Sequence, residues 1–374
     1  MKPFILITTL TIALSACGSG SGNSSNATVS SGEQSTQSAE VADTLAWSFL
    51  KKYSGTIGDL PIVLDITRTN EKLNGSYYYT KIGTPIVLEG SIKNNGAFEI
   101  TEISNGNVTG FFEGIIPTKG GFSGTWKNAA KNKTLPLTLT EITDGFAQFS
   151  YEDREAKNCK HADKELDMSG SENGCTTLKV HFLTVNAASV ETTSKINATL
   201  LANAGNGGFS QEKPSSLDQL MSMVNINSPE EGFNGDISFN VETNDNNVIC
   251  ITQSSNWYNF GAAHPNYFIS FTNFDLRSGN IIQLEELLNP GFDRELNRIA
   301  EAKFLKDNGS EGWDFEPGNF KLNRNFAIQP GGLLFSFDPY EIGPYMAGAP
   351  SVFIPYKSIA KLIKPNGLLA AWVQ

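Results

Sequence analysis

Short apolar stretches separated by glycine and asparagine fill the first half of the folded sequence. Apolar and polar positions alternate most clearly in Ile86–Ile92 and Phe98–Ile103, and turn residues such as Asn94-Asn95-Gly96 stand between the stretches. A period of two is typical of strands with one buried face, and asparagine and glycine tolerate the positive φ of tight turns. The pattern predicts an all-β module over residues 47–143, an antiparallel meander of six or seven strands that forms a small barrel or a sandwich.

Aromatic residues on these strands raise the question of a ligand site. In this module such side chains are more often core, but they could also stack on a sugar. The aromatic residues considered are Tyr77, Tyr78, Tyr79, Phe112 and Trp126. Tyr78 lies on the strand face opposite Tyr77 and Tyr79, so it is the more exposed candidate and is predicted as a ligand contact.

The second half of the chain mixes strand and helix periods. A helix is predicted over Phe292–Lys306, where apolar residues recur at helical spacing before Gly309. The other predicted helices are Ile196–Leu201, Leu217–Val224 and Tyr356–Ile363. The predicted strands are Leu178–Val185, Ile237–Glu242, Asn247–Trp257, Tyr267–Leu276, Phe326–Ile328, Leu333–Phe337 and Val352–Ile354. We predict α+β regions over residues 144–256 and 257–374, with an antiparallel sheet that carries helices on one face.

The first 46 residues follow neither pattern. Lys2 precedes an apolar run that is too short to remain as a membrane span, and Leu14-Ser15-Ala16-Cys17 matches the bacterial lipobox. We predict a lipoprotein signal peptide over residues 1–16, with an ordinary secretory signal as the alternative. Lipid on Cys17, followed by a polar flexible tether over residues 17–46, would anchor the protein in the cell envelope. No aspartate follows Cys17, which favours the outer membrane if the source is Gram-negative.

Three further cysteines and one histidine suggest a disulfide more strongly than a metal site. Cys159 and Cys175 bracket a polar loop, and a disulfide that closes about 15 residues contributes about 3 kcal/mol. His161 stands beside Cys159, but no second closely spaced pair completes a zinc site, so no metal is predicted. Cys250 lies in an apolar strand pattern and is predicted to be a buried free thiol.

The charge balance limits the class of partner. The formal net charge is −11, and loss of Lys2 with the signal peptide leaves 27 basic against 39 acidic residues, which gives −12. Nucleic acid and anionic lipid surfaces are therefore excluded as partners, while a basic protein is compatible with the charge.

Several segments of the last third carry a family resemblance. They resemble the domain of unknown function 3298 and comprise Gly261–Asn266, Asn273–Leu276, Gly279, Leu284–Leu288 and Phe337–Tyr345. That domain occurs in RsiV-type anti-sigma factors, which sense lysozyme, and as an accessory part of PdaC-type peptidoglycan deacetylases. The order of strand, Ile196-Asn197 and helix in residues 144–256 is similar to the PdaC-type domain. The resemblance implies an extracytoplasmic binding role, with peptidoglycan or a lysozyme-like basic protein as partner.

No motif for catalysis stands out. The three histidines have no pair at i,i+4, and the sequence has no Gly-x-Ser-x-Gly elbow, no P-loop and no His-Glu-x-x-His. We predict no catalytic residue and no cofactor. The candidate ligand contacts, besides Tyr78, are His264, Asn266, Asp275 and Tyr340. For His264 and Asn266 the alternative is that they only stabilise their own turn.

The sequence thus predicts a non-catalytic envelope lipoprotein that binds a cell-wall component or a wall-lytic enzyme such as lysozyme. The alternative is a hydrolase that acts on peptidoglycan or another glycan with acidic residues of the C-terminal domain.

Overall fold

The computed structural model describes residues 48–117, 119–159, 175–205, 213–226 and 232–373. The predicted signal peptide, Cys17, the tether and His161 lie outside the described residues. All the described residues belong to one compact unit, residues 43–374. Within them, no helix combines the length and the apolar character needed to cross a bilayer.

The first module is a closed barrel of eight antiparallel strands. They are β1 (Ser48–Ile57), β2 (Leu60–Thr69), β3 (Lys72–Tyr79), β4 (Ile86–Ile92), β5 (Ala97–Ser104), β6 (Asn107–Ile115), β7 (Phe122–Asn128) and β8 (Thr134–Ile142). Pairing of β1 with β8 closes the barrel, with Ile57 opposite Leu137. The meander is confirmed, and the barrel is the alternative that the chain adopts. Strand β1 was missed because Lys51-Lys52 interrupts its apolar pattern.

The interior of the barrel is largely apolar, but it also holds two buried charged side chains, Arg68 on β2 and Glu102 on β5. The Glu102 carboxylate accepts hydrogen bonds from the Tyr77 hydroxyl and the Trp126 indole at 2.7 Å each, and from Thr109 at 2.5 Å. These donors satisfy a charge that would otherwise be costly to bury. A side chain at Gly110 would displace Trp126, since an added Cβ would lie 2.5 Å from its indole nitrogen. The Tyr77 and Trp126 side chains therefore stabilise the buried Glu102 carboxylate in the barrel interior.

The second layer is a five-stranded sheet in the order β13-β12-β11-β10-β9. Its strands are β9 (Gln148–Asn158), β10 (Thr176–Asn186), β11 (Phe233–Asp245), β12 (Val248–Asn259) and β13 (Asn266–Asp275). Helices α1 (Val190–Gly205) and α2 (Leu217–Ile226) lie between β10 and β11 in sequence. Those two strands pair in parallel, which requires such a crossover, and the other neighbours are antiparallel. The predicted boundary between residues 256 and 257 falls inside β12, because β12 and β13 continue this sheet.

The two faces of this sheet differ as the strand alternation predicts. Leu178, Val180 and Phe182 of β10 are buried, whereas His181 is half-exposed on the opposite face. A disulfide joins Cys159, just beyond β9, to Cys175, just before β10, which confirms the predicted pair. Cys250 is a buried free cysteine, also as predicted.

The C-terminal part adds helices and a three-stranded sheet. Its elements are α3 (Leu284–Leu287), α4 (Asp293–Asn308), β14 (Phe326–Gln329), β15 (Gly332–Ser336), a 3-10 helix (Tyr345–Ala347), β16 (Ser351–Pro355), α5 (Tyr356–Ile359) and a 3-10 helix (Leu368–Trp372). Helix α4 confirms the helix predicted over Phe292–Lys306 to within two residues, and it buries Leu296, Ala300 and Phe304. Helix α5 ends four residues earlier than predicted.

Two asparagine side chains join the five-stranded sheet to the three-stranded sheet. The Asn273 amide donates to the Phe326 carbonyl at 2.7 Å and accepts from the Ile328 backbone at 2.8 Å. The Asn325 side-chain amide pairs in the same way with the backbone of β13. It accepts from the Phe271 backbone amide at 2.8 Å and donates to the Ile269 carbonyl at 2.6 Å. These bonds satisfy backbone groups between β13 and β14 that no ladder pairs.

Candidate functional site

Four aromatic rings form a surface cluster where the turn before β13 meets the loop after β15. We call His264, Tyr267, Tyr340 and Tyr345 the aromatic patch. The His264 ring stacks on Tyr345 with centroids 4.0 Å apart, and Tyr340 and Tyr267 lie 5.4 and 6.4 Å from Tyr345. Tyr340 is 60% exposed, and the neighbouring Met346 is 91% exposed. Exposed apolar surface of this kind marks an interaction site more often than a scattered single residue does.

The hydrogen bonds of His264 fix its ring within the patch. Nδ1 lies 2.9 Å from the Pro265 carbonyl oxygen, and Nε2 lies 3.2 Å from the Tyr340 hydroxyl. Because a carbonyl oxygen only accepts, Nδ1 carries the proton, and in the neutral ring Nε2 accepts from Tyr340. The Tyr345 hydroxyl donates to the same Pro265 carbonyl. The polar side-chain atoms of His264, Tyr340 and Tyr345 are thus satisfied locally, while the Tyr340 ring remains exposed.

Tyr340 has an unusual backbone conformation. The Glu341 amide donates to the Asp338 carbonyl at 3.0 Å, so Asp338–Glu341 is a β-turn with Pro339 in its second position. Tyr340 occupies the third position with a φ of 70°. A positive φ at this position is that of a type II turn, where glycine is usual and a bulky side chain is strained. The chain holds a tyrosine where a glycine would be more stable, and strain of this kind is concentrated at functional sites.

The acidic side chains beside Tyr340 stabilise its loop. The Glu341 carboxylate accepts from the Asp338 amide at 2.8 Å and from the Asn323 side chain at 2.9 Å.

Partial burial, and then the nearby Tyr345 hydroxyl, raise the pKa of Tyr267 above its ordinary value. All four rings of the patch therefore lie in a well-defined hydrogen-bonded frame.

The structure brings two of the predicted contacts together and separates the others. His264 and Tyr340 touch although they are 76 positions apart in sequence. Asn266 begins β13 opposite Trp257, next to Tyr267. Asp275 is the last residue of the same strand, where it binds the Arg277 guanidinium at 2.8 and 2.9 Å. Burial alone would raise the pKa of Asp275, but the hydrogen bonds and charge of Arg277 outweigh it and lower this pKa.

Tyr78 is not exposed as predicted. It is only 7% exposed, and its hydroxyl donates to the Asp245 carboxylate at 2.5 Å. Tyr78 does point out of the barrel, but the turn between β11 and β12 covers this part of the wall. The prediction was wrong because alternation along β3 identifies the outer face and contains no information about what packs on it.

Tyr267 and Tyr345 are the patch residues that the sequence analysis did not select. Tyr345 ends a segment that carries the family resemblance and Tyr267 directly follows another, so the tyrosine and proline residues of these segments were the available signal. A second imidazole–tyrosine stack, His181 on Tyr151 with centroids 4.4 Å apart, lies on the open face of the five-stranded sheet. Across the described ranges, no three His, Cys, Asp or Glu side chains converge on a point that could hold a metal ion.

Comparison with known proteins identifies part of the chain. Residues 285–357 match the profile of a family described as protein of unknown function DUF3298. This stretch is a DUF3298 domain. It confirms the predicted resemblance for the C-terminal part and contains two rings of the aromatic patch, Tyr340 and Tyr345. The other two, His264 and Tyr267, precede the matched DUF3298 residues.

Two solved structures of DUF3298 family members are similar to this chain. A protein from Bacteroides fragilis NCTC 9343 is 16% identical, with a TM-score of 0.49, over 62% of this chain and 99% of that one. A protein from Pseudomonas aeruginosa PAO1 is 19% identical, with a TM-score of 0.47, over 60% of this chain and 96% of that one. No curated protein matches the chain.

Proposed function

We propose that this protein is a non-catalytic lipoprotein of the cell envelope that binds the glycan of the cell wall through the aromatic patch. The observation that carries the proposal is the exposed, strained Tyr340 beside the stacked rings of His264 and Tyr345. Tyrosine and histidine rings offer flat apolar faces with polar edges, which suits sugar rings that have apolar faces and hydroxyl edges.

Sedimentation with purified, insoluble peptidoglycan tests this proposal. The wild-type protein is expected in the pellet, and Tyr340→Ala should bind about tenfold more weakly because it removes the most exposed ring. Tyr151→Ala is the matched control, since it removes a half-exposed tyrosine that stacks on a histidine outside the patch. Equal binding by the wild type and Tyr340→Ala would contradict the proposed site.

A basic wall-lytic enzyme such as lysozyme is the second candidate partner. The formal net charge of −11 favours a cationic protein, and Glu341 lies next to Tyr340 in the patch loop. A pull-down with lysozyme at low and at physiological salt separates the two candidates. Capture of lysozyme that weakens with salt and is lost in Tyr340→Ala, without binding to peptidoglycan, would favour the enzyme as the partner.

The hydrolase alternative is tested with the same peptidoglycan. Asp275 and Glu341 are the acidic residues that a hydrolase would use in this domain. In the structure each accepts a hydrogen bond from a neighbouring side chain, Asp275 from Arg277 and Glu341 from Asn323. Those bonds support structural roles. Release of soluble fragments that is lost in Asp275→Asn or Glu341→Gln would instead support a wall-modifying hydrolase.

The membrane anchor is part of the proposal and rests on the lipobox at Leu14–Cys17. Cells that express the protein with labelled palmitate should incorporate the label, and Cys17→Ser should abolish it. An unlabelled wild-type protein that retains its leader would contradict the anchor and leave the glycan-binding test unaffected.

A further inference from the structure

A groove of about 400 Å³ runs over the outer wall of the barrel, across strands β4 to β7. Pockets for small ligands begin at about 300 Å³, so the groove has room for one. The side chains that line it and point outward are Ser91, Glu99, Thr101, Phe111, Glu113, Lys127 and Lys131. The groove lies on a different module from the aromatic patch.

A half-exposed aromatic ring lies in the middle of this groove. Strand pairing places Phe111 between Thr101 on β5 and Lys127 on β7. The Lys131 ammonium lies 4.4 Å from the centre of the Phe111 ring. This cation lies over one face of the ring, helps to hold the ring in place and supplies hydrogen-bond donors beside the ring.

Two carboxylates stand directly opposite each other on β5 and β6, two residues along the strands from the Thr101–Phe111 pair. Glu99 on β5 pairs with Glu113 on β6, and like charges in this position are unfavourable. Glu113 is compensated by Lys127 at 2.5 Å and Thr125 at 3.1 Å, and the bond to Lys127 lowers the pKa of Glu113. The Glu99 side chain is exposed, and no side chain among the described residues pairs with it. The groove thus presents one accessible carboxylate that a ligand could reach.

We propose that this groove is a saccharide-binding site, with Phe111 as the platform for one sugar ring. Hydroxyl groups both donate and accept, and the groove offers two ammonium donors and two carboxylate acceptors around one aromatic face. The two positive and two negative charges balance, so the groove suits an uncharged sugar better than an ion. Tyr77 is in the barrel interior and Tyr78 is covered by the β11–β12 turn, whereas Phe111 faces outward in the groove.

Calorimetric titration of the full chain with chitotetraose and with cellotetraose tests the groove. The wild type is expected to bind at least one of them, and Phe111→Ala should weaken that affinity about tenfold. Ile115→Ala is the matched control, because Ile115 is a 58% exposed apolar residue of the same strand that does not line the groove. Lys131→Ala, a turn variant that leaves the strand unchanged, should weaken binding severalfold and guards against misfolding of Phe111→Ala.

The outcome can be separated from the function proposed for the aromatic patch. Binding that is lost in Phe111→Ala and retained in Tyr340→Ala supports the groove, whatever sedimentation with peptidoglycan shows. Binding that is lost only in Tyr340→Ala overturns the groove and supports the patch. No binding of either tetrasaccharide, or equal binding by the wild type, Phe111→Ala and Lys131→Ala, also overturns the inference.

Discussion

The barrel wall around Tyr78 and the aromatic patch around Tyr340 both present a tyrosine on an outward face, and only the first is covered. Tyr78 is 7% exposed and donates to a buried carboxylate, whereas Tyr340 is 60% exposed and hydrogen-bonds a histidine of its own cluster. A covered surface must satisfy its polar atoms across the contact. The patch satisfies the polar atoms of His264 and Tyr340 internally and leaves the Tyr340 ring exposed, so this ring is accessible to a ligand.

A charged network stabilises the covered region. The Lys52 ammonium is 1% exposed and binds the Asp65 carboxylate at 2.7 and 2.9 Å, with Asp245 at 3.9 Å. Asp245 also receives the Tyr78 hydroxyl. It comes directly before the turn of the β11–β12 hairpin, where Asn246 and Asn247 both have positive φ, as in a type I′ turn. The turn of this tight hairpin packs the five-stranded sheet against the barrel wall.

Removing the centre of that network should have the largest effect. Lys52→Ala leaves two carboxylates without their cation, and we expect a loss of about 3 kcal/mol in the free energy of unfolding. The estimate is at the low end for a buried pair because the Asp65 side chain is about a third exposed. Urea unfolding followed by tryptophan fluorescence measures the change.

Lys195→Ala is the matched control for Lys52→Ala. Lys195 forms an exposed i,i+4 pair with Glu191 on α1, and its loss should cost at most about 0.5 kcal/mol. If the two variants unfold at the same urea concentration, the charged network does not hold the barrel to the sheet.

The difference between the covered Tyr78 and the exposed Tyr340 is tested further by removing the hydroxyl group of each. Tyr78→Phe removes the hydrogen bond to Oδ2 of the buried Asp245 carboxylate, while the Asn246 amide still donates to Oδ1, and the loss should cost about 2 kcal/mol. Tyr340→Phe loses only an exposed hydrogen bond to His264, and its stability should stay within about 0.5 kcal/mol of the wild type. The measurement is the shift in the urea midpoint of each variant. Equal shifts would mean that Tyr78 is not covered as the structure describes.

Much of the fold follows from local patterns that the sequence displays directly. Alternation along β4 and β5 predicted the all-β meander, and the spacing of Leu296, Ala300 and Phe304 predicted α4. What the patterns lack is the pairing of distant segments. Strand β1 buries Lys52 against Asp65 of β2. This contact is what makes a lysine tolerable in a covered strand, and it cannot be predicted from the residues around Lys52 alone.

The candidate site shows the same limit. His264 and Tyr340 were each predicted as ligand contacts from their own segments, but their contact depends on how β13 and the loop after β15 meet. Phe111 was not selected as a ligand contact. The sequence analysis considered Phe112 instead, and nothing in the sequence around Phe111 indicates that this outward-facing residue lies in a groove. The positive φ of Tyr340 was equally hidden, since Asp338-Pro339 predicts a turn without revealing its type.

The smallest predicted effect separates the strain at Tyr340 from its role in binding. Tyr340→Gly and Tyr340→Ala both remove the ring, so both should bind peptidoglycan equally weakly. Only glycine adopts a φ of 70° without strain, and the Gly variant should therefore be more stable than the Ala variant by about 1 kcal/mol. Thermal unfolding and sedimentation of the same two preparations measure both quantities. A Gly variant that is less stable than the Ala variant would show that the turn stores no strain, and the exposed ring alone would then have to support the proposed site.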